Sequence, residues 1–518
     1  MARDFIIIGS GFGGSVSACR LAQGGASVLV LERGRRWEAT DYPIKNSWFF
    51  DPDKPEKFNG WLDFRLFGHM NVVQGAGIGG GSLVYANIST EARPDVFDKG
   101  WPAELTYKEL KPYYDRVAKF MNVQRVPENQ VPERYHLMKR AAEANAWGDR
   151  FLRMELCVEF NENYDLKNWD PNDDAFAYSV MHKNQHGVEQ GTCVHCGNCD
   201  IGCKYKAKST LDKNYIPVAE MAGAEFRPLH VARRIESKGG EYTVYFDRIV
   251  DGKLVPGKES AKNVIIACGS LGSTEMLLRN RDEYKTLPNV SQFLGHNWTS
   301  NGDFLTPAMY PKGQEPYPHR GPTITSAIDF GDGGFRGQKF WVQDGGYPNL
   351  LVNYLQGVDR ASAKAIAKAL ENVFDDNVMP WFAQGVDKGN ARLYLGRKWY
   401  WPFKKHLEMD WDVQSNAPLF NAISEMHHAL SDATGGDVKA IFEFLWKELK
   451  TLVTPHPLGG CNIGNNANDG VVNHFGQVFG HRGLYVLDGA NIPVPIGRNP
   501  TRTIAAMTER ASEHILKQ

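Results

Sequence analysis

Two short apolar runs open the chain, separated by a glycine-rich turn and a segment compatible with a helix. The runs are Phe5–Ile8 and Val28–Leu31. Short runs of this kind, rich in β-branched side chains and bounded by glycine, predict buried strands. The hydrophobic pattern therefore predicts a strand, a tight turn, a helix and a second strand at the start of the chain.

Three later segments also join an apolar strand to a turn or a helix. They cover residues 261–278, 454–461 and 483–515. We interpret the first as the strand that returns the chain to the opening sheet. In the third, a strand ends at Asp488 and Gly489, and a helix follows with Asn499 at its cap and Pro500 in its first turn.

The middle of the chain carries a different pattern. Residues 390–412 alternate like strands with a turn around Pro402, which favours a sheet, and residues 364–374 and 421–436 favour helices. An apolar stripe within residues 437–453 predicts core packing or, as an alternative, transient contact with a membrane. The stripe consists of Ile441, Leu445, Trp446 and Leu449.

Composition narrows the class of protein. The chain has 518 residues, 42% of them hydrophobic and 23% charged, with a formal net charge of −1. This balance favours a folded protein of more than one domain and gives no argument for binding nucleic acid. No stretch is long and apolar enough for a signal sequence or a membrane span. We therefore expect a cytoplasmic protein with reduced thiols.

The turn after the first apolar run matches the dinucleotide-binding pattern G-x-G-x-x-G. Gly9 permits the tight turn, Gly11 lets the backbone approach a pyrophosphate, and Gly14 lets the helix pack closely on the strand. Glu32 ends the second strand, where a carboxylate can accept hydrogen bonds from ribose hydroxyls. This unit predicts a bound dinucleotide but does not distinguish NAD from FAD.

A second glycine cluster places five glycines within Gly75–Gly81, between apolar flanks. Such a run cannot form a stable helix or a good strand. We interpret it as a loop whose backbone lies against something flat or anionic.

Together these blocks resemble the glucose–methanol–choline (GMC) oxidoreductases, flavoproteins that oxidise alcohols, and most of all their cholesterol oxidase branch. The resemblance rests on the first glycine unit and on the segments GAGIGGGSLVYANI, NAPLFNAI, HPLGGC and LYVLDGANIPVPIGRNPTRTIAAMTER. These segments follow one another in the family's order from the start of the chain to its end.

The resemblance implies FAD as the cofactor, with its ADP half on Gly9, Gly11, Gly14 and Glu32. It implies that other residues contact the rest of the flavin nucleotide, namely Gly79, Gly80, Gly81, Ser82, Asp488 and Gly489. It also implies a catalytic pair, His456 and Asn499. A neutral imidazole can take the hydroxyl proton near neutral pH, and an amide can hold the hydroxyl oxygen without adding charge.

The activity implied is oxidation of a bulky apolar alcohol, sterol-like, long-chain or terpenoid, with O2 or an external electron acceptor. Oxidation of a sugar or polyol through an iron–sulfur cluster is an alternative. A flavin-binding electron-transfer module without its own substrate is another. Cholesterol oxidases also use a carboxylate base, for which Asp375 or Asp376 is a candidate, although a surface turn would also explain these acids.

Four cysteines stand close together at Cys193, Cys196, Cys199 and Cys203. Their spacing is that of a ferredoxin ligand run, except that Lys204 replaces the usual proline. Neighbouring glycines disfavour a helix, and a loop would bring the sulfurs around one point. An iron–sulfur cluster, a zinc ion and reduced structural thiols all remain open.

The predicted fold class is α/β: a Rossmann-like FAD-binding domain of the GMC fold interlaced with an α+β substrate domain on an antiparallel sheet. We place the FAD-binding domain at residues 1–110, 190–300 and 455–518. The substrate-binding domain takes residues 111–189 and 301–454, with the cysteine-rich loop 191–204 near the boundary.

Overall fold

The computed structural model describes residues 3–42, 48–168, 178–346, 376–398, 401–438 and 446–518. The predicted helix at residues 364–374 lies outside the described residues, as do Asp375 and two members of the apolar stripe, Ile441 and Leu445.

Seven α-helices have bounds in the described residues. They are α1 Phe12–Gln23, α2 Tyr107–Phe120, α3 Glu133–Ala144, α4 Tyr215–Met221, α5 Gly269–Leu278, α6 Ala417–Asp432 and α7 Thr501–Ile515. The strands are β1 Arg3–Ile8, β2 Val28–Leu31, β3 Phe49–Phe50, β4 Leu62–Leu66, β5 Met70–Gly75, β6 Gln124–Arg125, β7 Phe151–Arg153, β8 Glu155–Leu156, β9 His182–Lys183, β10 Glu189–Gln190, β11 Glu225–Arg227, β12 His230–Lys238, β13 Glu241–Val250, β14 Lys253–Ile266, β15 Phe304–Met309, β16 Ser326–Phe335, β17 Gln338–Asp344, β18 Val378–Gly385, β19 Arg392–Lys398, β20 Trp401–Asp410, β21 Asp437–Val438, β22 Leu452–Thr454 and β23 Leu484–Val486.

A seven-stranded sheet combines strands from both ends of the chain. Its order is β11-β2-β1-β14-β13-β12, and β23 also pairs with β14. The pairs that join β11, β2, β1, β14 and β23 are parallel. Parallel strands are buried on both faces, which explains the continuous apolar runs of β1 and β2. Helix α1 packs against α4 and α7 beside this sheet.

A six-stranded antiparallel sheet forms the second layer. Its order is β21-β15-β18-β17-β16-β7, and α6 packs against β15, β17 and β18. Its strands lie between residues 151 and 438, whereas most strands of the seven-stranded sheet lie before residue 267 and one lies after residue 483. The chain thus crosses between two layers, and the domain boundaries given above stay a prediction.

The segment 390–412 does form strands, but not as predicted. Strands β19 and β20 pair only with each other in the described residues, as a separate two-stranded sheet. The chain reverses just before Pro402, since Lys398 pairs with Trp401, and Pro402 itself is the second residue of β20. A two-stranded ribbon has a free edge on each strand, so a proline there need not remove a ladder hydrogen bond.

Strand β22 brings the segment before His456 back to the N-terminal part of the chain. It pairs in parallel with β5, which leads into the second glycine cluster. Among the described helices, none is long and apolar enough to span a bilayer.

Gly13, a residue that the G-x-G-x-x-G pattern leaves unspecified, fits against the C-terminal strand segment. A Cβ atom at this position would lie 1.6 Å from the Leu487 carbonyl oxygen. A backbone atom cannot move aside as a flexible side chain can. We therefore expect Gly13→Ala to lower the free energy of unfolding by about 3 kcal/mol or more.

Chemical denaturation of the purified variants measures this effect. Gly68→Ala is the matched control, because a Cβ atom there meets nothing within 4 Å. Equal stability of the two variants would show that α1 does not need this close approach.

Candidate active site and cofactor groove

Two glycine turns meet at the carboxyl end of β1. Gly9 has a φ of +97°, and a Cβ atom on Gly80 would lie only 2.7 Å from the Gly11 Cα atom. Ser10 links the turns, since the Gly79 N–H donates to its Oγ at 3.1 Å. A Cβ atom on Gly81 would meet nothing within 4 Å. The turns therefore form a backbone surface without side chains, which a flat ligand can approach.

Helix α1 starts at this surface. Its N-cap is Gly11, no side chain caps it, and its first turn contains no acidic residue. The first backbone N–H groups of a helix have no partner within the helix, and the helix dipole makes this end positive. An uncapped start next to a glycine turn fits a pyrophosphate.

Glu32 lies buried beside the same turn. Its Oε2 accepts hydrogen bonds from the Ser10 backbone at 3.0 Å and from the Ser10 hydroxyl at 2.8 Å, and its Oε1 accepts from the Gly34 N–H at 2.9 Å. A carboxylate oxygen can accept more than one hydrogen bond, so Oε1 can also accept from a ribose hydroxyl. The carboxylate, the uncapped helix and the bare glycine surface together fit an FAD nucleotide.

Asp488 bridges protein groups at the end of β23. It accepts hydrogen bonds from the Gly269 N–H at 2.8 Å, the Ser273 hydroxyl at 2.5 Å and the Ala490 N–H at 2.8 Å. Burial raises the pKa of its carboxyl to about 6. The next residue, Gly489, accepts a hydrogen bond from the Gly459 N–H at 2.9 Å, which ties this turn to the His456 segment.

The structure brings His456 and Asn499 together. His456 Nε2 lies 3.2 Å from Asn499 Nδ2. The predicted cap role of Asn499 is wrong: α7 begins at Thr501 with Pro500 at its N-cap. The Asn499 side chain therefore does not cap the helix and reaches the histidine instead.

A hydrogen-bond chain fixes which histidine nitrogen carries the proton. Gln343 Nε2 donates to Asn499 Oδ1 at 2.9 Å, so the Asn499 NH2 group faces His456 Nε2. His456 Nδ1 lies next to the Asp303 carboxylate, which can only accept, and a neutral imidazole has one donor and one acceptor nitrogen. The network thus assigns the proton to Nδ1 and makes Nε2 the acceptor nitrogen.

Asp303 receives that Nδ1 proton. Its carboxylate oxygens lie 2.9 and 3.0 Å from His456 Nδ1, and the side chain is fully buried. The Thr454 hydroxyl donates to the same carboxylate at 2.5 Å and accepts from the His456 N–H at 2.9 Å. Burial raises the pKa of the Asp303 carboxyl. The aspartate therefore orients the imidazole and opposes its rotation.

The antiparallel sheet supplies further neighbours of His456. Gln384 of β18 accepts a hydrogen bond from Trp341 Nε1 at 2.7 Å, and its Nε2 lies 3.2 Å from His456 Nδ1. The ring of Phe382 lies 6.1 Å from the imidazole ring, centroid to centroid. No pattern in the sequence indicates Asp303, Gln343 or Gln384, because none of them belongs to a motif with a fixed spacing.

The predicted carboxylate base is not found at Asp376. Its carboxylate pairs with His319 Nε2 at 2.9 Å, on a side chain that is 44% exposed. This position fits the alternative interpretation, an acidic surface turn. Asp303 is the buried carboxylate next to His456, and it faces Nδ1 rather than the accepting nitrogen.

The four clustered cysteines line one small cavity, together with Asn87 and Lys208. Their segment is irregular apart from the short turn Cys199–Ile201. Within the described residues, no three His, Cys, Asp or Glu side chains are arranged to hold a metal ion. Burial raises the pKa of the Cys196 thiol to about 12 and also raises that of Cys199. Within the described residues the arrangement therefore does not support the iron–sulfur cluster or the zinc ion that the spacing left open.

Comparisons with known proteins find similar sequences along the whole chain. A family model described as GMC oxidoreductase matches residues 343–508, and one described as an NAD(P)-binding Rossmann-like domain matches residues 7–48. A cholesterol oxidase of Acinetobacter baumannii is 29% identical over 99% of this chain and 94% of its own length. A long-chain-alcohol oxidase of Arabidopsis thaliana is 22% identical over 99% of this chain and 67% of its own.

A solved structure shares the fold. Pyridoxine 4-oxidase from Mesorbium loti superposes with a TM-score of 0.63 over 100% of this chain and 99% of its own, at 14% identity. The predicted α/β class with a Rossmann-like nucleotide-binding domain is confirmed. Since the sequence matches extend from the first strand to the last helix, the chain is similar over its length to the GMC oxidoreductases, and among them to a cholesterol oxidase.

Proposed function

We propose that this protein is an FAD-dependent oxidoreductase that oxidises the CH–OH group of a bulky apolar alcohol. One observation carries the proposal: His456 Nε2 and Asn499 Nδ2 lie 3.2 Å apart, with their donor and acceptor roles fixed by Gln343 and Asp303. Such a pair offers an alcohol one acceptor for its proton and one donor for its oxygen.

The roles of the protein groups follow from the hydrogen-bond network. His456 Nε2 accepts the hydroxyl proton of the alcohol, and the Asn499 NH2 group donates to the hydroxyl oxygen and orients it. Asp303 stabilises the imidazolium that forms, because its carboxylate accepts from Nδ1. A bound FAD supplies the acceptor for the hydrogen and two electrons that leave the alcohol carbon.

We assign FAD binding to the groove residues described above. The ADP half of FAD would contact Gly9, Gly11, Gly14 and Glu32. The flavin half would contact Gly79, Gly80, Gly81 and Ser82. Asp488 and Gly489 support the groove from the C-terminal segment through their bonds to α5 and to Gly459. The electrons then pass to O2 or to an external acceptor.

The nature of the substrate is inferred from two observations. The ring of Phe382, on β18 of the antiparallel sheet, lies next to the His456 imidazole. The relatives named for cholesterol and long-chain alcohols indicate that this branch acts on apolar substrates. The sugar alternative relied on an iron–sulfur cluster, and the described cysteines do not fit one.

Anaerobic mixing with a panel of alcohols tests the proposal. We expect sterols or long-chain alcohols to bleach the oxidised flavin absorbance, and glucose or fructose to leave it unchanged. Peroxide formed on admission of air identifies O2 as an acceptor. Bleaching by sugars alone would contradict the apolar substrate. A flavin that no alcohol reduces would instead indicate an electron-transfer module, and protein that binds no FAD would refute the proposal.

A further inference from the structure

Lys208 places a buried ammonium group between the cysteine segment and the second glycine loop. Its Nζ donates to the carbonyl oxygens of Cys199 at 2.6 Å, Leu83 at 2.8 Å and Tyr85 at 3.3 Å. Three acceptors around one nitrogen require three N–H donors, because a neutral amine would turn its lone pair toward a carbonyl oxygen. The geometry therefore assigns the protonated form to this side chain.

Within the described residues the ammonium forms no close ion pair, although the carboxylates of Asp200 and Asp212 act on it from a greater distance. The side chain is only 2% exposed, and burial lowers the pKa of its ammonium. A buried cation without a close ion pair is costly, since it loses its hydration and gains only distant counter-charges. A neutral donor would satisfy the carbonyl groups at lower cost, so the charge itself needs an explanation.

The loop that Lys208 holds is the one that faces the proposed flavin. Leu83 ends the short turn Gly80–Leu83, and Gly80 lies against Gly11 on its other side. The chain after Lys208 also supports this loop, because the Leu211 N–H donates to Ser82 Oγ at 3.2 Å. The cation thus lies directly behind the loop rather than on the protein surface.

We propose that Lys208 is a positioning residue whose charge offsets the negative charge that the bound flavin gains on reduction. This inference rests on the FAD binding proposed above. Each alcohol oxidised releases one proton to His456 and transfers one hydrogen with two electrons to the flavin, which leaves one net negative charge there. A fixed cation behind the flavin loop favours that charged product over the neutral oxidised form.

The reduction potential of the bound FAD tests the proposal without any alcohol. It is measured anaerobically with dithionite and a reference dye. We expect Lys208→Gln, which keeps N–H donors but loses the charge, to make reduction at least tenfold less favourable, a fall of about 30 mV for two electrons. Lys208→Arg keeps the charge and should keep the potential. Lys206→Met removes a nearby surface charge paired with Glu189 and should leave the potential unchanged.

Every outcome shows whether Lys208 acts on the reduction potential through its charge or has only a structural role. An unchanged potential in Lys208→Gln with full FAD content overturns the proposal, and so does a fall of equal size in Lys208→Arg. If Lys208→Gln cannot hold FAD while Lys208→Arg holds it at the native potential, the charge serves binding of the oxidised cofactor, and the proposal is overturned. If both variants lose FAD, Lys208 has only a structural role, and the proposal is overturned. A wild-type protein that binds no FAD refutes the proposed function instead.

Discussion

Replacing His456 by alanine should lower the rate of flavin reduction by the alcohol by about 10²- to 10⁴-fold. The variant loses the Nε2 acceptor for the hydroxyl proton, and no other described side chain has an accepting nitrogen next to Asn499. The imidazole lies outside the glycine turns, so FAD content should stay at the wild-type level. Anaerobic stopped-flow absorbance of the flavin, at saturating alcohol, measures the rate.

The controls separate loss of a proton acceptor from loss of structure. His136 is exposed on α3, and His136→Ala should reduce its flavin at the wild-type rate. Asn499→Ala should keep the acceptor but lose the group that orients the alcohol oxygen, so the rate should fall less than in His456→Ala. Reduction of His456→Ala at the wild-type rate would remove the imidazole from the mechanism.

Local patterns predicted the nucleotide-binding part of the fold because its constraints are local. The run Phe5–Ile8 is continuous because β1 is covered on both faces, and Gly9 is required by a backbone turn with φ of +97°. His456 and Asn499 were instead implied by the resemblance to the GMC oxidoreductases, and the structure places their side chains 3.2 Å apart. Short turns with fixed sequence requirements reveal their role without knowledge of distant contacts.

The support for the catalytic pair could not be predicted, because it depends on contacts between distant segments. Asp303 lies 153 residues before His456 in the sequence, and Gln343 lies 156 residues before Asn499. Neither is part of a repeat or a spacing pattern, and a buried polar residue next to an apolar strand has many structural explanations. Only the order of the antiparallel sheet places them next to the histidine.

The pairing partners of the strands at residues 390–412 could not be predicted for a similar reason. The alternation of polar and apolar residues correctly predicted two strands, but it carries no information about which sheet they join. Pairing partners are set by the whole fold, and β19 and β20 pair with each other alone in the described residues. The same limit applies to the four cysteines, whose spacing suits a cluster although their arrangement in the described structure does not.

Asp303→Asn should lower the rate of flavin reduction by about 10²- to 10⁴-fold while leaving the fold intact. In a hydrolase triad, the corresponding change costs about 10⁴-fold because the histidine adopts the wrong tautomer. Here the introduced side-chain amide can turn its NH2 group toward Nδ1 of His456, which moves the imidazole proton to Nε2. Nε2 would then face the Asn499 NH2 group as a donor and could no longer accept the proton of the alcohol.

The free energy of unfolding distinguishes this loss of rate from damage to the fold. Burial raises the pKa of the Asp303 carboxyl, so the native state binds its proton more tightly than the unfolded state does. The contribution of Asp303 to the free energy of unfolding therefore falls as pH rises from the unfolded pKa to the folded pKa, and it stays low above that range. An asparagine carries no charge at any of these pH values. At about pH 8, Asp303→Asn should thus be at least as stable as the wild type, despite its slow chemistry.

Asp376→Asn is the matched control, because Asp376 also forms an aspartate–histidine pair, with His319 at 2.9 Å, on a half-exposed turn. It should keep the wild-type rate of flavin reduction. Stopped-flow reduction and thermal unfolding of both variants, measured on the same preparations, give the two readouts. If Asp303→Asn loses rate and stability together, Asp303 acts through the packing of the site. If it loses neither, the imidazole does not need this carboxylate, and the tautomer assignment that supports the proposed function is wrong.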